Sequence, residues 1–252
     1  MCKKVLAMAL ICLAAVAAFG GQPLQSAAKQ SSRIFDSWAN SLVRKPNDPQ
    51  YLSFHYRVRT LYFSLKPSGA QPVVFLGDSI TYGANWNRLF PDLDVENRGI
   101  GGDSSLGVLN RLDQVITLHP TQIFLMIGTN DLCYGRSIPE IAANYRMILE
   151  RLKVGLPECQ IYVESVLPFN DEIFPSRRLR TNENIRRLND EVRQVASDYK
   201  CPYVDLATAF TDIGGRLPAR YTDDGLHLNE TAYLVWRDQI RNLAGAYAGR
   251  AQ

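Results

Sequence analysis

Apolar and polar positions follow two rhythms along the chain: short continuous apolar runs, and longer stretches with helical spacing. Apolar runs at residues 72–76, 122–127, 160–166 and 202–206 predict buried strands, and residues 94–97 predict a further strand with a weaker signal. Amphipathic stretches at residues 104–118, 138–156, 182–199 and 230–248 predict helices. Apolar strands that alternate with helices indicate an α/β fold, in which a parallel sheet is covered by helices on both faces.

The N-terminal part has a different pattern. Lys3 and Lys4 precede an apolar run at residues 5–19 and several small residues, which predicts a secretory signal peptide over residues 1–20. The run is shorter than the roughly 20 apolar residues that span a bilayer, although an uncleaved anchor remains an alternative. We therefore expect a secreted or periplasmic protein, with no stable membrane insertion after cleavage.

An extension at residues 21–70 follows the leader and precedes the main domain at residues 71–248. Apolar and aromatic residues recur at helical spacing within residues 48–65, which predicts a helix packed on the main domain. The sequence at residues 66–69, with a proline and a glycine, then breaks the pattern. With 252 residues in all, the mature chain is long enough for one well-buried domain and short for two.

Composition excludes some classes of function. The net charge is +3, and the basic residues are spread along the chain, which argues against a nucleic-acid partner. Neither an HExxH motif nor a comparable cluster of ligands is present, so we expect neither a metal nor a cofactor. Outside the leader, Cys133, Cys159 and Cys201 are widely spaced; free thiols are favoured, and one disulfide remains possible.

Polar segments follow four of the predicted strands. These are Gly77-Asp78-Ser79, residues 97–103 (NRGIGGD), residues 128–131 (GTND) and residues 223–227 (DDGLH). Active sites of open parallel sheets lie beyond the carboxyl ends of the strands. The four segments are therefore expected to converge on one rim of the sheet.

A hydroxyl nucleophile and its base are candidates at this rim. Ser79 lies between a strand and a helix start, although a helix N-cap would be an equally ordinary place for a serine. A serine nucleophile needs a base, usually histidine. His55 falls in the N-terminal helix and His119 at the opposite end of the sheet, so His227 is the candidate. Asp224, three residues earlier, is close enough to orient its ring.

The oxyanion of an acyl-transfer reaction also needs hydrogen-bond donors. The backbone N–H groups of Ser79 and Gly102 and the side-chain amide of Asn130 are the candidates. Each has a structural alternative, because glycine and asparagine are common in turns and asparagine also caps helices. The simultaneous occurrence of these residues at the ends of different strands favours the catalytic interpretation.

The motifs resemble those of the SGNH (GDSL-type) hydrolase superfamily. The four blocks are VVFLGDSIT at residues 73–81, NRGIGGDSS at 97–105, GTND at 128–131 and DDGLHLN at 223–229, in that order. The resemblance implies a flavodoxin-like three-layer α/β/α sandwich with a five-stranded parallel sheet. It also implies that Ser79 is the nucleophile, His227 the base and Asp224 the orienting acid. Gly102 and Asn130 would complete the oxyanion hole with the Ser79 backbone.

The expected function is hydrolysis of short-chain esters through an acyl-enzyme. Residues 97–112 resemble the branch with platelet-activating-factor acetylhydrolase-like and carbohydrate O-acetylesterase proteins, which favours acetyl groups on a small molecule or a glycan. Alternatives are a lysophospholipase or thioesterase-like lipid hydrolase, an acyltransferase with the same triad, and a carbohydrate-binding module without activity. A basic loop at residues 168–181 would favour an acidic sugar if it overhung the site, or would simply be solvated. The oligomeric state is left open.

Overall fold

A computed structural model describes residues 49, 51–66, 69 and 71–245 of the chain. The predicted signal peptide and most of the predicted extension lie outside the described residues. The described residues belong to one compact unit that begins at Pro49, so the N-terminal helix and the sheet share that unit.

The sheet consists of five parallel strands in the order β2-β1-β3-β4-β5. Their bounds are β1 Val73–Gly77, β2 Val95–Gly99, β3 Gln122–Met126, β4 Gln160–Glu164 and β5 Tyr203–Val204. The register aligns Gly77 at the end of β1 with Gly99 on β2 and Met126 on β3. The carboxyl ends of the three strands at this side of the sheet are therefore level, and the segments that follow them start from one rim.

Helices cover both faces of the sheet, which confirms the predicted three-layer α/β/α architecture. They are α1 Phe54–Leu65, α2 Ser79–Gly83, α3 Trp86–Leu89, α4 Ser105–Asn110, α5 Asp113–Ile116, α6 Thr129–Tyr134, α7 Ile138–Gly155, α8 Asn182–Asp198 and α9 Glu230–Ile240. Two short 3₁₀ helices lie at Ala207–Phe210 and Ala219–Tyr221. At the start of α7, the Glu140 carboxylate accepts from the Ser137 N–H at 2.8 Å, as the capping box in the sequence predicts.

Each face of the sheet has its own apolar core. One core packs Val74, Leu76 and neighbouring strand residues against α4, α5, α7 and α8. The other packs Phe75, Phe124 and the rings of Trp86 and Trp236 between the sheet and helices α3 and α9. Because alternate strand residues face opposite layers, continuous apolar strands are needed to fill both cores.

One acidic side chain lies inside the second core. Glu164, the last residue of β4, is 1% exposed and accepts a hydrogen bond from Trp236 Nε1 at 2.8 Å. Burial raises the pKa of Glu164 to about 8, against the opposing effect of the Trp236 hydrogen bond. The folded protein therefore favours the protonated form of this carboxyl group.

Three predicted helices differ from the structure in their bounds. The stretch predicted as one helix at residues 104–118 is two helices, because Arg111 leaves helical geometry (φ −116°, ψ 11°) and its side chain bonds Asp103 and the Gly77 carbonyl. Helix α1 begins at Phe54 rather than near residue 48, since Ser53 caps it by accepting from the Tyr56 N–H. Helix α9 ends at Ile240, earlier than predicted, and turns follow it up to Gly245.

Among the described residues, no helix has the length and apolar character needed to cross a bilayer. Cys133, Cys159 and Cys201 all carry free thiols.

Candidate active site

Ser79 is the first residue of α2, directly after the carboxyl end of β1. The capping position belongs to Asp78, whose Oδ1 accepts from the Ile80 N–H at 3.0 Å. The Ser79 hydroxyl is therefore not used as a cap, and its side chain is partly exposed. Burial raises the pKa of Asp78 to about 7, which reduces the tendency of this carboxyl group to carry a charge beneath the serine.

Close backbone packing fixes the position of α2. A Cβ atom at Gly99 would lie 2.3 Å from the Tyr82 nitrogen, so only glycine allows β2 to end against this helix. The Asn97 amide donates to the carbonyls of Thr81, Tyr82 and Ala84 at 3.1–3.2 Å. These bonds satisfy carbonyls at the end of α2 that have no partner within so short a helix.

His227 and Asp224 complete a hydrogen-bonded line from Ser79. His227 Nε2 lies 3.0 Å from Ser79 Oγ, and His227 Nδ1 lies 2.6 Å from Asp224 Oδ2. The side chains of His227 and Asp224 are 45% and 49% exposed, so water reaches both. In such a line the imidazole can take a proton from the hydroxyl while the carboxylate holds the ring in the required tautomer.

A single turn builds the Asp224–His227 pair. Asp224 Oδ1 accepts from the backbone N–H groups of Leu226 and His227 at 2.9 and 2.8 Å. Partial burial opposes ionisation of Asp224, but hydrogen bonds from the His227 side chain and from these N–H groups outweigh it and lower the pKa to about 2. Gly225 has φ +88° and no space for a side chain against Phe174, so glycine is required within the turn.

Gly102 and Asn130 lie at the ends of the strands that flank β1. Gly102 has φ +75°, and its carbonyl accepts from the Tyr134 hydroxyl at 2.6 Å. Asn130 is the second residue of α6, 9% exposed, and its Nδ2 donates to the Asp103 carbonyl at 3.0 Å. An amide nitrogen has two donors, so the second N–H of Asn130 is available for a further acceptor.

Buried acids tie the segments after β2 and β3 together. Asp131 accepts from the N–H and the hydroxyl of Ser105 at 2.9 and 2.6 Å, and it also pairs with Arg136. Burial raises the pKa of Asp103 to about 6, although the Arg111 guanidinium, 2.8 Å away, opposes the shift. These bonds connect the segments that carry Gly102 and Asn130, and they stabilise the geometry of this side of the site.

Part of the basic loop at residues 168–181 packs against the rest of the protein, so the loop is not solvated along its whole length. Arg180 is 4% exposed and lies over the rings of Phe169 and Phe174. Arg178 Nη1 donates to the Tyr134 carbonyl at 2.6 Å, and the Asn170 N–H donates to the Gly225 carbonyl. The loop therefore supports the turn that carries Asp224, and of its three arginines Arg177 and Arg178 are exposed while Arg180 is buried.

Two further aromatic residues, His55 and Tyr134, border the site, and no local sequence pattern predicts this position for either. His55 on α1 lies near Gly101, where a Cβ atom would be 3.3 Å from its ring, and it packs edge-on against Tyr82. Tyr134 reaches Gly102, as described above. Both contacts join residues far apart in the chain, so no local pattern predicts them. His119, by contrast, precedes β3 at the opposite end of the sheet.

No cluster of three or more potential metal ligands occurs among the residues that the structure describes.

The α/β/α fold and a serine–histidine–aspartate line at the carboxyl ends of the strands are typical of a hydrolase. Residues 75–235 match the GDSL-like lipase/acylhydrolase family, and the chain belongs to that family. This membership confirms the family resemblance seen in the sequence. Together with the relatives below, it identifies the protein as a carboxylic ester hydrolase.

Known proteins with similar sequences or structures include acetylhydrolases and lipases. The platelet-activating factor acetylhydrolase IB subunit alpha1 of Bos taurus is 27% identical over 194 residues, covering 74% of this chain and 78% of its own. A GDSL-like lipase from Bacteroides thetaiotaomicron has a TM-score of 0.64 and 26% identity, covering 75% of this chain and 96% of its own. An acetyl xylan esterase shares the fold, with a TM-score of 0.58, 21% identity, and coverage of 68% of this chain and 98% of its own.

Proposed function

We propose that this protein hydrolyses short-chain carboxylic esters, most often acetyl esters, with Ser79 as nucleophile, His227 as general base and Asp224 as the orienting acid. The observation that carries the proposal is the unbroken line of two hydrogen bonds, 3.0 Å from Ser79 to His227 and 2.6 Å from His227 to Asp224. Both distances lie in or near the range in which a nucleophile and its base exchange a proton.

In the proposed reaction, Ser79 Oγ attacks the ester carbonyl carbon as its proton passes to His227 Nε2. The tetrahedral intermediate collapses, the C–O bond to the alcohol breaks, and the alcohol leaves with the proton from His227. A water molecule then gives a proton to His227 Nε2 and attacks the carbonyl carbon of the acyl-enzyme. The bond from Ser79 Oγ to the acyl group breaks, the carboxylic acid leaves, and the proton passes from His227 to Ser79 Oγ. Asp224 remains ionised throughout, which agrees with the low pKa of its carboxyl group.

The oxyanion of the intermediate would be held by the N–H groups of Ser79 and Gly102 and by Asn130 Nδ2. Neither of these N–H groups donates a hydrogen bond to another residue in the described part of the chain. The Asp103 carbonyl holds the Asn130 amide in place before any substrate arrives. Donors that are fixed in advance stabilise developing charge without reorganisation during the reaction.

The acetyl group is proposed because the relatives include platelet-activating factor acetylhydrolases. A glycan is the preferred carrier because proteins that share the fold include an acetyl xylan esterase and an acetyl-xylooligosaccharide esterase. Hydrolysis is favoured over acyl transfer because the side chains of His227 and Asp224 are nearly half exposed, which gives water access to the acyl-enzyme. We further propose that the leader at residues 1–20 exports the protein, so that its substrate lies outside the cytoplasm.

The test is a series of 4-nitrophenyl esters from acetyl to palmitoyl, run beside a panel of acetylated glycans, with the parent and Ser79→Ala proteins. The parent is expected to prefer acetyl esters, and Ser79→Ala to lose about 10⁴–10⁶ in kcat while keeping its melting temperature. Normal turnover in a folded Ser79→Ala variant would contradict the assignment. A preference for long acyl chains would instead indicate a lipid hydrolase, and acyl transfer to added sugar would indicate a transferase.

A further inference from the structure

A cleft of about 300 Å³ is lined by residues other than Ser79, His227 and Asp224. Its lining residues are Pro49, Tyr51, Tyr134, Gly135, Arg136 and Glu140. We refer to it as the Tyr51–Tyr134 cleft. Four of these six residues come from the end of α6, the turn after it and the start of α7, which belong to the matched family region. The other two, Pro49 and Tyr51, come from the segment before α1, which lies outside that region.

Tyr134 connects this cleft to the proposed oxyanion hole. Its ring lines the cleft, and its hydroxyl donates to the Gly102 carbonyl at 2.6 Å. Tyr134 therefore links the cleft to the residue whose N–H is a proposed donor to the oxyanion. An acetyl group has only two carbons, so a space of this size is left for the remainder of the ester, which is its alcohol part.

The side chains of the cleft determine which alcohol fits. Tyr51 presents a ring held edge-on against Tyr56 at 5.4 Å, and its hydroxyl has no hydrogen-bond partner within the described part of the chain. Arg136 uses Nη1 to bond Asp131, while a guanidinium carries five N–H donors in all. Glu140 adds a carboxylate, of which Oε2 accepts from Ser137.

An apolar acyl chain would be a poor occupant, because it would cover the charged groups of Arg136 and Glu140 without replacing their hydrogen bonds to water. A polyhydroxylated ring fits this set of groups. Its hydroxyls can donate to Glu140 and accept from Arg136 and Tyr51, and its C–H face can pack on a tyrosine ring.

We propose that the Tyr51–Tyr134 cleft binds the sugar that carries the acetyl ester, so that the segment preceding α1 helps to determine substrate specificity. The proposal rests on the proposed function, since it assigns the alcohol part of the same substrate. It adds a subsite to which Tyr51, Arg136 and Glu140 contribute polar contacts.

The test compares kcat/KM for acetylated xylobiose with kcat/KM for ethyl acetate, whose alcohol is too small to reach the cleft, and follows the ratio of the two from parent to variant. In Tyr51→Phe, which removes only a hydroxyl, the ratio of the two is expected to fall about fivefold, the usual effect of losing one hydrogen bond. Glu140→Gln, which keeps the capping interaction of α7, is expected to lower the ratio similarly. Tyr62→Phe, on the exposed side of α1, is the matched control and leaves both rates unchanged.

Inhibition by unmodified xylobiose provides a second measurement. It is expected to inhibit ethyl acetate hydrolysis competitively, with a higher inhibition constant in Tyr51→Phe than in the parent. The proposal is overturned if neither cleft variant changes the ratio or the inhibition constant. It is also overturned if the same variants instead change the preference between acetyl and decanoyl 4-nitrophenyl esters, because the cleft would then hold the acyl chain. If the folded parent hydrolyses no ester, the proposed function itself fails, and that outcome is distinct from an unchanged ratio.

Discussion

Replacing Glu164 by glutamine isolates the part of the pH dependence of stability that comes from this one buried carboxyl group. In the folded protein Glu164 is protonated up to a pKa of about 8, whereas an exposed glutamate has its ordinary value of 4.5. Glutamine keeps an oxygen that can accept the Trp236 Nε1 hydrogen bond, and it cannot ionise. The variant therefore removes the proton equilibrium while leaving the packing of the second core nearly unchanged.

The effect of pH on the free energy of unfolding depends on whether the folded or the unfolded chain keeps the Glu164 proton. Above its ordinary pKa, Glu164 ionises readily in the unfolded chain and not in the folded protein, so rising pH favours unfolding. The stabilisation is complete below the ordinary pKa of 4.5 and is lost as the pH rises through about 8. At about 1.4 kcal/mol for each unit of pKa, the free energy of unfolding falls by roughly 3–4 kcal/mol between about pH 5 and about pH 8.

Glutamine introduces a cost of its own, because its buried NH₂ group has no obvious acceptor, and such a group costs about 1–3 kcal/mol. The variant should therefore be less stable than the parent at about pH 5 and equal to it or more stable at about pH 8. Asp78 and Asp103, whose pKa values are also raised, are present in both proteins, and their contributions cancel in the difference.

The assay is denaturant unfolding of both proteins at several pH values across this range. Glu158→Gln, at an exposed glutamate, is the control. We expect the stability deficit of Glu164→Gln relative to the parent to disappear or change sign as the pH rises, while the control follows the parent. Parallel curves for parent and Glu164→Gln would refute the argument, because they would mean that Glu164 releases its proton at the same pH in the folded and unfolded chains.

Two further predictions concern the site itself. Asp224→Asn removes the carboxylate that orients His227, and we expect kcat to fall by about 10³–10⁴ with the melting temperature nearly unchanged at neutral pH. The pKa of Asp224 is about 2, so its ionised form stabilises the folded protein above the ordinary value of 3.8, and this stabilisation is lost only as the pH falls toward 2. A loss of activity in the parent that titrates with Asp224 above pH 3.8 would argue against this description. Asn130→Ala removes one proposed oxyanion donor and should lower kcat about 10²–10³-fold with little change in KM. If that variant melts early but turns over normally, the bond from Asn130 to the Asp103 carbonyl has a structural role only.

The sequence was sufficient to predict the fold because the first four strands are largely buried on both faces and each long helix is amphipathic. It was also sufficient to select Ser79, Asp224 and His227 as a group, because strand ends in a parallel sheet meet at one rim. Their distances agree with that selection, while their catalytic roles remain predictions. The break at Arg111 could not be predicted, since the side-chain bonds that accompany it reach Asp103 and Gly77, outside the helical pattern.

The surroundings of the site were much harder to predict than its centre. Tyr51 and His55 have helix-forming or neutral neighbours, and nothing in their local pattern indicates contact with residues 101–136. Those contacts depend on how α1 packs over the loops after β2 and β3, which is a tertiary property. Residues with chemically distinctive motifs can be located from sequence, whereas the walls that select a substrate require coordinates.

The separation of the site residues along the chain has a consequence for how activity reports on folding. Asp224 and His227 are assembled by one turn, whereas Ser79 lies 148 residues away from His227 and shares no local structure with it. Undocking of the C-terminal segment would therefore break the hydrogen bond between Ser79 and His227, together with packing bonds such as that from Trp236 to Glu164. The bonds between the strands and those inside the Asp224–His227 turn do not depend on that docking. Turnover would then disappear at denaturant concentrations where circular dichroism still shows a native sheet, so the enzyme's own reaction serves as a probe for partial unfolding at its C-terminal end.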